Sequence, residues 1–286
     1  MVIKNVNEKY NSLMELGLCE NASSFVFCYF KDEKNDEIDI VPIYNDIKNA
    51  NMSSNNMMIT DKFGNLLLDL KDFNYDNVLI NYVNGNDLIV SNYTLIKPQY
   101  VYKKVYNSIN HYVYNDIEKN IVLKERFFIN NDNRLINFEM LNDKKDVFLI
   151  ETIDNFHRKA RLYSVSKRKY ITPDFTKIEY VENTNYELLK YTDNVESNLL
   201  INDISFNSNI IGFITIDGIF YNGVYDEITN KEIECELNSK PNFEEYYNLK
   251  KMIQGKLDEK VIKESNKQMT KNFIIKKLEN KAKRNF

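Results

Sequence analysis

"IDGIFYNGVYDEI", residues 216–228, decides how this chain is read. Asp217-Gly218 is a turn pair, because glycine enters the left-handed region at no steric cost and aspartate bonds its own backbone. Apolar and aromatic residues follow, and the stretch closes on Tyr225-Asp226-Glu227-Ile228. That texture is a β-hairpin. Outward from it, brief runs rich in Val, Ile, Tyr and Phe recur between Asn, Asp, Lys and Gly clusters, as in "SFVFCYF", "NDLIVSNYTLI", "DVFLIETI" and "NLLINDISF". The spacing predicts strands from Phe25 almost to Pro241.

The hairpin has company. "DEIDIVPIYNDI" (36–47), "KFGNLLLDLKDFNYDNV" (62–78), "NYTLIKPQYVYKKVYNSI" (92–109) and "SKRKYITPDFTKI" (166–178) also run from a polar turn through apolar residues to an aromatic. Two mostly polar residues and an aliphatic follow in each. The aromatic and aliphatic exits pair as Tyr44 with Ile47, Tyr75 with Val78, Tyr106 with Ile109, Phe175 with Ile178 and Tyr225 with Ile228. The first two intervals are 31 residues each; the next, 69, leaves room for one degenerate copy near "NDNRLINFEMLND", and the last is 50. A two-stranded hairpin is marginal alone, so repeated hairpins are expected to complete one another's core, with the exit pairs as anchors.

"GFITIDGIFYNGVYDEI" (212–228), with Gly212-Phe213, Asp217-Gly218 and Tyr225-Asp226-Glu227-Ile228, resembles the WG (KWG) repeat, G-F-I-D-x-x-G-K-x-V-I-x-P-x-Y-D-x-I. "ITDKFGNLLLDLKDFNYDNV" keeps Asp61 and Gly64 at its turn, and "YITPDFTKI" keeps the Pro before the aromatic. The likeness covers roughly residues 25–235, lacks the Trp that names the family, and loses the Gly in most copies. It implies a tandem hairpin protein whose relatives are interaction modules, and it brings no catalytic residues.

Composition sets the frame. The chain has 286 residues, 43% of them hydrophobic and 28% charged, and a net charge of -4. This describes a globular chain with material for a core. No run reaches the roughly 18–20 apolar residues of a membrane span. Lys4, Glu8, Lys9 and Glu15 interrupt the N-terminal segment, unlike a secretory signal, so a cytoplasmic location without membrane partners is expected. Cys19, Cys28 and Cys235 are an odd number without C-x-x-C spacing, which argues against both a disulfide framework and a zinc site. Charge is unevenly placed: residues from Lys240 onward carry +7 and the body before them -11.

Residues 3–17 place Ile3, Val6, Tyr10, Leu13 and Met14 at helical spacing, with Gly17 as a left-handed cap. Helical periodicity returns near Pro241 through Phe243, Ile253, Leu257, Val261 and Phe273, with a break expected near Ser265-Asn266. The expected organisation is an N-terminal helix (1–20), a β-hairpin repeat domain (21–239) and a basic amphipathic helical extension (240–286). The fold class is mainly β: tandem antiparallel hairpins, solenoid- or propeller-like, between two helical ends.

No nucleophile elbow, phosphate loop, dinucleotide fingerprint or zincin motif occurs. Asp154 and His157 stand at i,i+3, suited to a metal on a helix, but a third ligand at recognisable spacing is missing. No cofactor is expected. Two features suit binding. "HRKARLYSVSKRKY" (157–170) holds Arg158, Lys159, Arg161, Lys167, Arg168 and Lys169 among tyrosines, a mixture that meets phosphates and bases and is also met in a solvated hairpin edge. The terminal helix needs its apolar line, Phe243, Ile253, Leu257, Val261 and Phe273, covered, either by the hairpin repeats or by another chain. The expected function is a non-enzymatic protein-interaction or structural module whose terminal helix docks to a partner or to a second copy. The alternative is a nucleic-acid-associated protein using the 157–170 cluster and the tail.

Overall fold

The computed structural model describes residues 1–32, 37–45, 50–53, 57–70, 77–96, 103–129, 134–142, 146–154, 156–181, 188–226, 236–237 and 243–282. The protein is mainly β, in four small antiparallel sheets, with a short helix near its N-terminus and a long one near its C-terminus. Ile47, Tyr75 and Ile228 lie outside the described residues. The chain divides into two compact units, the first formed by Met1–Ile136 with Thr152–Asn155 and the second by Asn137–Glu151 with Phe156–Phe286. The division falls inside the β body that the sequence presents as continuous.

The first unit opens with α1 (Val6–Glu15), which buries Val6 and Tyr10. Gly17 ends it at φ +69°. Its N–H donates to the Met14 carbonyl and that of Leu18 to Leu13, the paired bonds of a Schellman cap. Next come β1 (Ala22–Asp32), β2 (Glu37–Tyr44), β3 (Ala50–Ser53), β4 (Met57–Thr60), β5 (Leu66–Asp69), β6 (Asn77–Asn84), β7 (Asp87–Ile96), β8 (Lys103–Asn115) and β9 (Asn120–Ile129). They form two sheets, ordered β2-β1-β4-β5 and β3-β6-β7-β8-β9. Phe25, Phe27, Ile43 and Ile59 from the former share a core with Val78, Ile80, Leu88 and Val90 from the latter.

The remaining strands are β10 (Arg134–Asn142), β11 (Val147–Asp154), β12 (His157–Ser164), β13 (Lys169–Tyr170), β14 (Lys177–Tyr180), β15 (Leu188–Glu196), β16 (Asn207–Thr215), β17 (Phe220–Asp226) and β18 (Glu236–Leu237). They run as two meanders in chain order, β10 to β13 and β14 to β18. Asp154 and His157 end one strand and begin the next, so the helical i,i+3 geometry imagined for a shared metal does not arise. α2 (Phe243–Ala282) is a single helix of 40 residues. The expected break at Ser265-Asn266 is absent: Ser265 is buried and its hydroxyl accepts a hydrogen bond from Asn202 at 3.0 Å, so the polar side chain is satisfied without opening the helix.

Two turns from different units share one geometry, and both are Gly turns of the hairpin pattern. In the β4–β5 turn, Asp61 N–H donates to Asn65 O and Gly64 N–H to Asp61 O, while Asp61 Oδ1 accepts the Asn65 N–H. In the β16–β17 turn, Thr215 N–H donates to Ile219 O, Gly218 N–H to Thr215 O, and Thr215 Oγ1 accepts the Ile219 N–H. Asp and Thr serve alike because each places an oxygen where the returning strand's N–H needs one.

Candidate functional site: the terminal helix and its seat

The seat is built from alternation. In β15 the inward positions are Leu189, Tyr191, Asp193 and Val195, and in β16 they are Ser208, Ile210, Gly212 and Ile214. Tyr191 lies opposite Gly212 in the register. A Cβ at Gly212 would meet the Tyr191 ring at 2.5 Å, so glycine is what lets the ring lie across the neighbouring strand. Phe175 stacks on Tyr191 with centroids 4.2 Å apart, and Phe220 and Tyr246 close the cluster edge-on. Such ring pairs add about 0.5–1.5 kcal/mol each beyond the area they bury.

Asp193 is the charged residue on this largely apolar face, a carboxylate only 4% exposed. Left alone, its burial would be costly. The helix supplies most of the compensation: the Tyr246 hydroxyl donates to Asp193 Oδ2 and Lys250 Nζ lies 2.6 Å from the same oxygen, while Thr176 Oγ1, just ahead of β14, donates to Oδ1 at 3.3 Å. Burial first, and then the Asp193 charge and hydrogen bond, hold the Tyr246 hydroxyl far above the ordinary tyrosine range. Docking of α2 is thus specified by a polar pairing as well as by rings.

Further along, the β15–β16 connection grips the helix. Asp258 Oδ1 accepts the backbone N–H groups of Asn198 at 2.7 Å and Leu199 at 3.2 Å. Gln254 donates to the Glu196 carbonyl and to Asn198 Oδ1, and Lys260 lies 4.1 Å from the Phe206 ring centroid. Ile253, Leu257 and Val261 are at most 3% exposed, and Phe243 is half-buried against the same core. Of the two covers the sequence allows for Phe243, Ile253, Leu257 and Val261, the hairpin body or another chain, they have the first. The chain's own sheet and loop already cover them.

Past Ser265 the footing ends. Every residue from Asn266 to Lys277 is exposed, including Met269 (52%), Phe273 (68%), Ile274 (51%) and Ile275 (44%). At 1.5 Å per residue this is about 18 Å of helix without a covering surface. Of the five apolar helix positions expected to meet a partner, Phe273 alone is placed to do so. The sequence reading missed Asp193, Tyr246, Lys250 and Asp258. An acid at an inward position of the alternating run "LLKYTDNVE" is the signal that points to the first of them.

The basic cluster is partly occupied from within. Arg158 Nη2 pairs with the buried Glu151 at 2.9 Å. Arg161 lies 3.5 Å from Asp174 and covers the Tyr170 ring at 4.1 Å. Lys159 is half-buried, while Lys167 and Arg168 are exposed on the β12–β13 turn and Lys169 is exposed at the start of β13. Lys and Arg on a sheet of this kind also guard its edge.

The exit residues sit as follows. Val78, Ile109 and Ile178 are all buried. Their aromatic companions differ: Tyr44 is exposed and donates its hydroxyl to the Leu18 carbonyl, Tyr106 is half-buried beside Tyr93, and Phe175 is in the ring cluster. Tyr225 lies in β17 opposite Ile211. The aliphatic member therefore marks a common burial position at the three exits where it is described, and the aromatic member does not.

In the first unit, a cleft of about 240 Å³ lies among Tyr10, Ser24, Lys62, Phe63, Tyr114 and Lys119. The Lys62 and Lys119 ammonium groups each lie over the Phe63 ring, 5.1 and 5.0 Å from its centroid. Asp61 already accepts from Tyr114, Asn65 and the Phe63 N–H. These groups hold two turns together. Among the described residues no cluster of three His, Cys, Asp or Glu has the arrangement of a metal site, and no helix is long and apolar enough to cross a membrane. Comparison of the chain with protein-family models, curated proteins and solved structures finds no significant match.

Proposed function

We propose that this protein works as an interaction module, in which a hairpin-built body holds a helix out for a partner. The observation that carries the reading is the change in α2 at Ser265: a half anchored by Asp193 and Asp258 continues into a half that is bare yet carries Met269, Phe273, Ile274 and Ile275. An apolar helical segment gains little by standing in water, and partner burial is the ordinary use of such a surface. The WG-repeat likeness agrees with this reading. It is supported by the shared turn geometry at Asp61–Gly64 and Thr215–Gly218 and by the buried Val78, Ile109 and Ile178.

The test is truncation after Ser265, which removes the bare half and leaves the seat intact. Light scattering and affinity capture from native cells then compare the truncated and full chains. The reading requires loss of a bound component, and an unchanged mass and partner set would end it. The nucleic-acid alternative draws less support, because Arg158 and Arg161 are each held against a carboxylate.

A further inference from the structure

Resting on the interaction reading, we infer that the occupant of the bare helix is a partner protein presenting an apolar groove rimmed with carboxylates. Two observations select it. First, charge: Asn266 to Lys277 contains Lys267, Lys271, Lys276 and Lys277 and no acid. Lys267 is met by Glu264 at 2.7 Å, no described ion pair holds Lys271, Lys276 or Lys277, and the next acid along the sequence is Glu279. A second copy paired helix to helix would set like charges side by side, which opposes association. Second, distribution: Met269 and Phe273 fall on one line at i,i+4, but Ile274 and Ile275 follow Phe273 at successive steps of 100° around the axis. Apolar residues on several sides do not suit a flat lipid surface, which covers one face of an amphipathic helix. A groove encloses more of the circumference, and helix-in-groove recognition reads i, i+4 anchors of this kind. Phe273 is the central anchor, and the lysines beside it set orientation through a carboxylate rim.

The experiment places a photo-crosslinking phenylalanine analogue at position 273 of the full chain in its native cells, with the same analogue at the exposed Ile117 as control. The crosslinked peptide is sequenced and its parent protein purified. The expected result is one protein joined from position 273 and not from 117, through a peptide rich in Asp and Glu. Its affinity for the full chain should fall about tenfold or more in the triple variant K271E/K276E/K277E, and should weaken as salt rises from about 0.05 to 0.3 M. A crosslink only to a second copy, a peptide without acidic excess, or an affinity indifferent to charge reversal would overturn the acidic groove and leave the interaction reading standing. No protein crosslink from position 273, with the full chain instead floating with phosphatidylserine vesicles, would remove both.

Discussion

Gly64 and Gly218 occupy equivalent places in two turns, at φ +87° and +78°, and each has a foreign main-chain carbonyl where a Cβ would stand. For Gly64 that atom is Ile3 O at 2.3 Å, and for Gly218 it is Ile171 O at 2.4 Å. The Ile3 N–H also donates to the Gly64 carbonyl at 2.6 Å, which ties the chain start to the turn. Glycine at these positions therefore serves both the backbone conformation and the close approach.

Gly85 separates the two effects. It has φ +55° and nothing within 4 Å of a built Cβ. Gly85→Ala is expected to cost only the left-handed strain, about 1–2 kcal/mol. Gly64→Ala and Gly218→Ala add a backbone collision of the kind that overpacking brings, for a total of about 2–5 kcal/mol. Urea denaturation of the three variants checks the order. Equal losses at Gly64 and Gly85 would show that the neighbouring carbonyl plays no part.

The Tyr246–Asp193 bond makes the second unit sensitive to alkali. The folded-state pKa of Tyr246 is raised above its unfolded value, so its contribution is fully present below about pH 10 and is lost as pH climbs above that. Tyr246→Phe should lower stability at neutral pH by about 1–3 kcal/mol, since Asp193 loses a donor while keeping Lys250 and Thr176. It should also flatten the alkaline decline of the melting temperature. A variant whose decline between about pH 9 and 11 matches that of the parent would refute the assignment.

How much of this was legible follows from the range of each interaction. α1 and its Gly17 cap are local, and a 3.6-residue period followed by glycine is enough to find them. The strands likewise announce themselves through Val, Ile, Tyr and Phe. The seat of α2 is not local: Asp193 meets Lys250 across 57 residues, and Asp258 meets Asn198 across 60. Periodicity showed that the stripe from Phe243 to Val261 needed a cover, but it could not tell an internal cover from an external one. The two-unit division was hidden for a similar reason, because one style of hairpin runs through both units.

Cys28 is fully buried, and burial pushes its thiol up to about 11. A thiol protonated at neutral pH and without solvent access is a poor nucleophile. Cys28 should resist a thiol-reactive disulfide reagent at about pH 8 in the folded protein and react once urea unfolds the first unit. Mass-spectrometric mapping of the labelled peptides reads this directly. Rapid labelling of Cys28 without denaturant would contradict its place between β2 and β4.

Arg161 makes a sharper test of the basic cluster than the exposed lysines do, because it has both a carboxylate and a ring. If its work is internal, Arg161→Met should keep the aliphatic cover on Tyr170 while losing the Asp174 pair, at a cost of about 0.5–1 kcal/mol. Any nucleic-acid binding at low salt should then be unaffected by Arg161→Met. Lys167→Glu with Lys169→Glu, on the exposed turn and the start of β13, should abolish it, since charge reversal at phosphate-contacting positions weakens binding across sequences. A gel-shift series with single-stranded DNA, run from about 0.02 to 0.2 M salt, distinguishes the two sets. Loss of a shift in Arg161→Met with its melting temperature intact would mean that Arg161 is offered outward, and the nucleic-acid reading would gain what the internal pairing now takes from it.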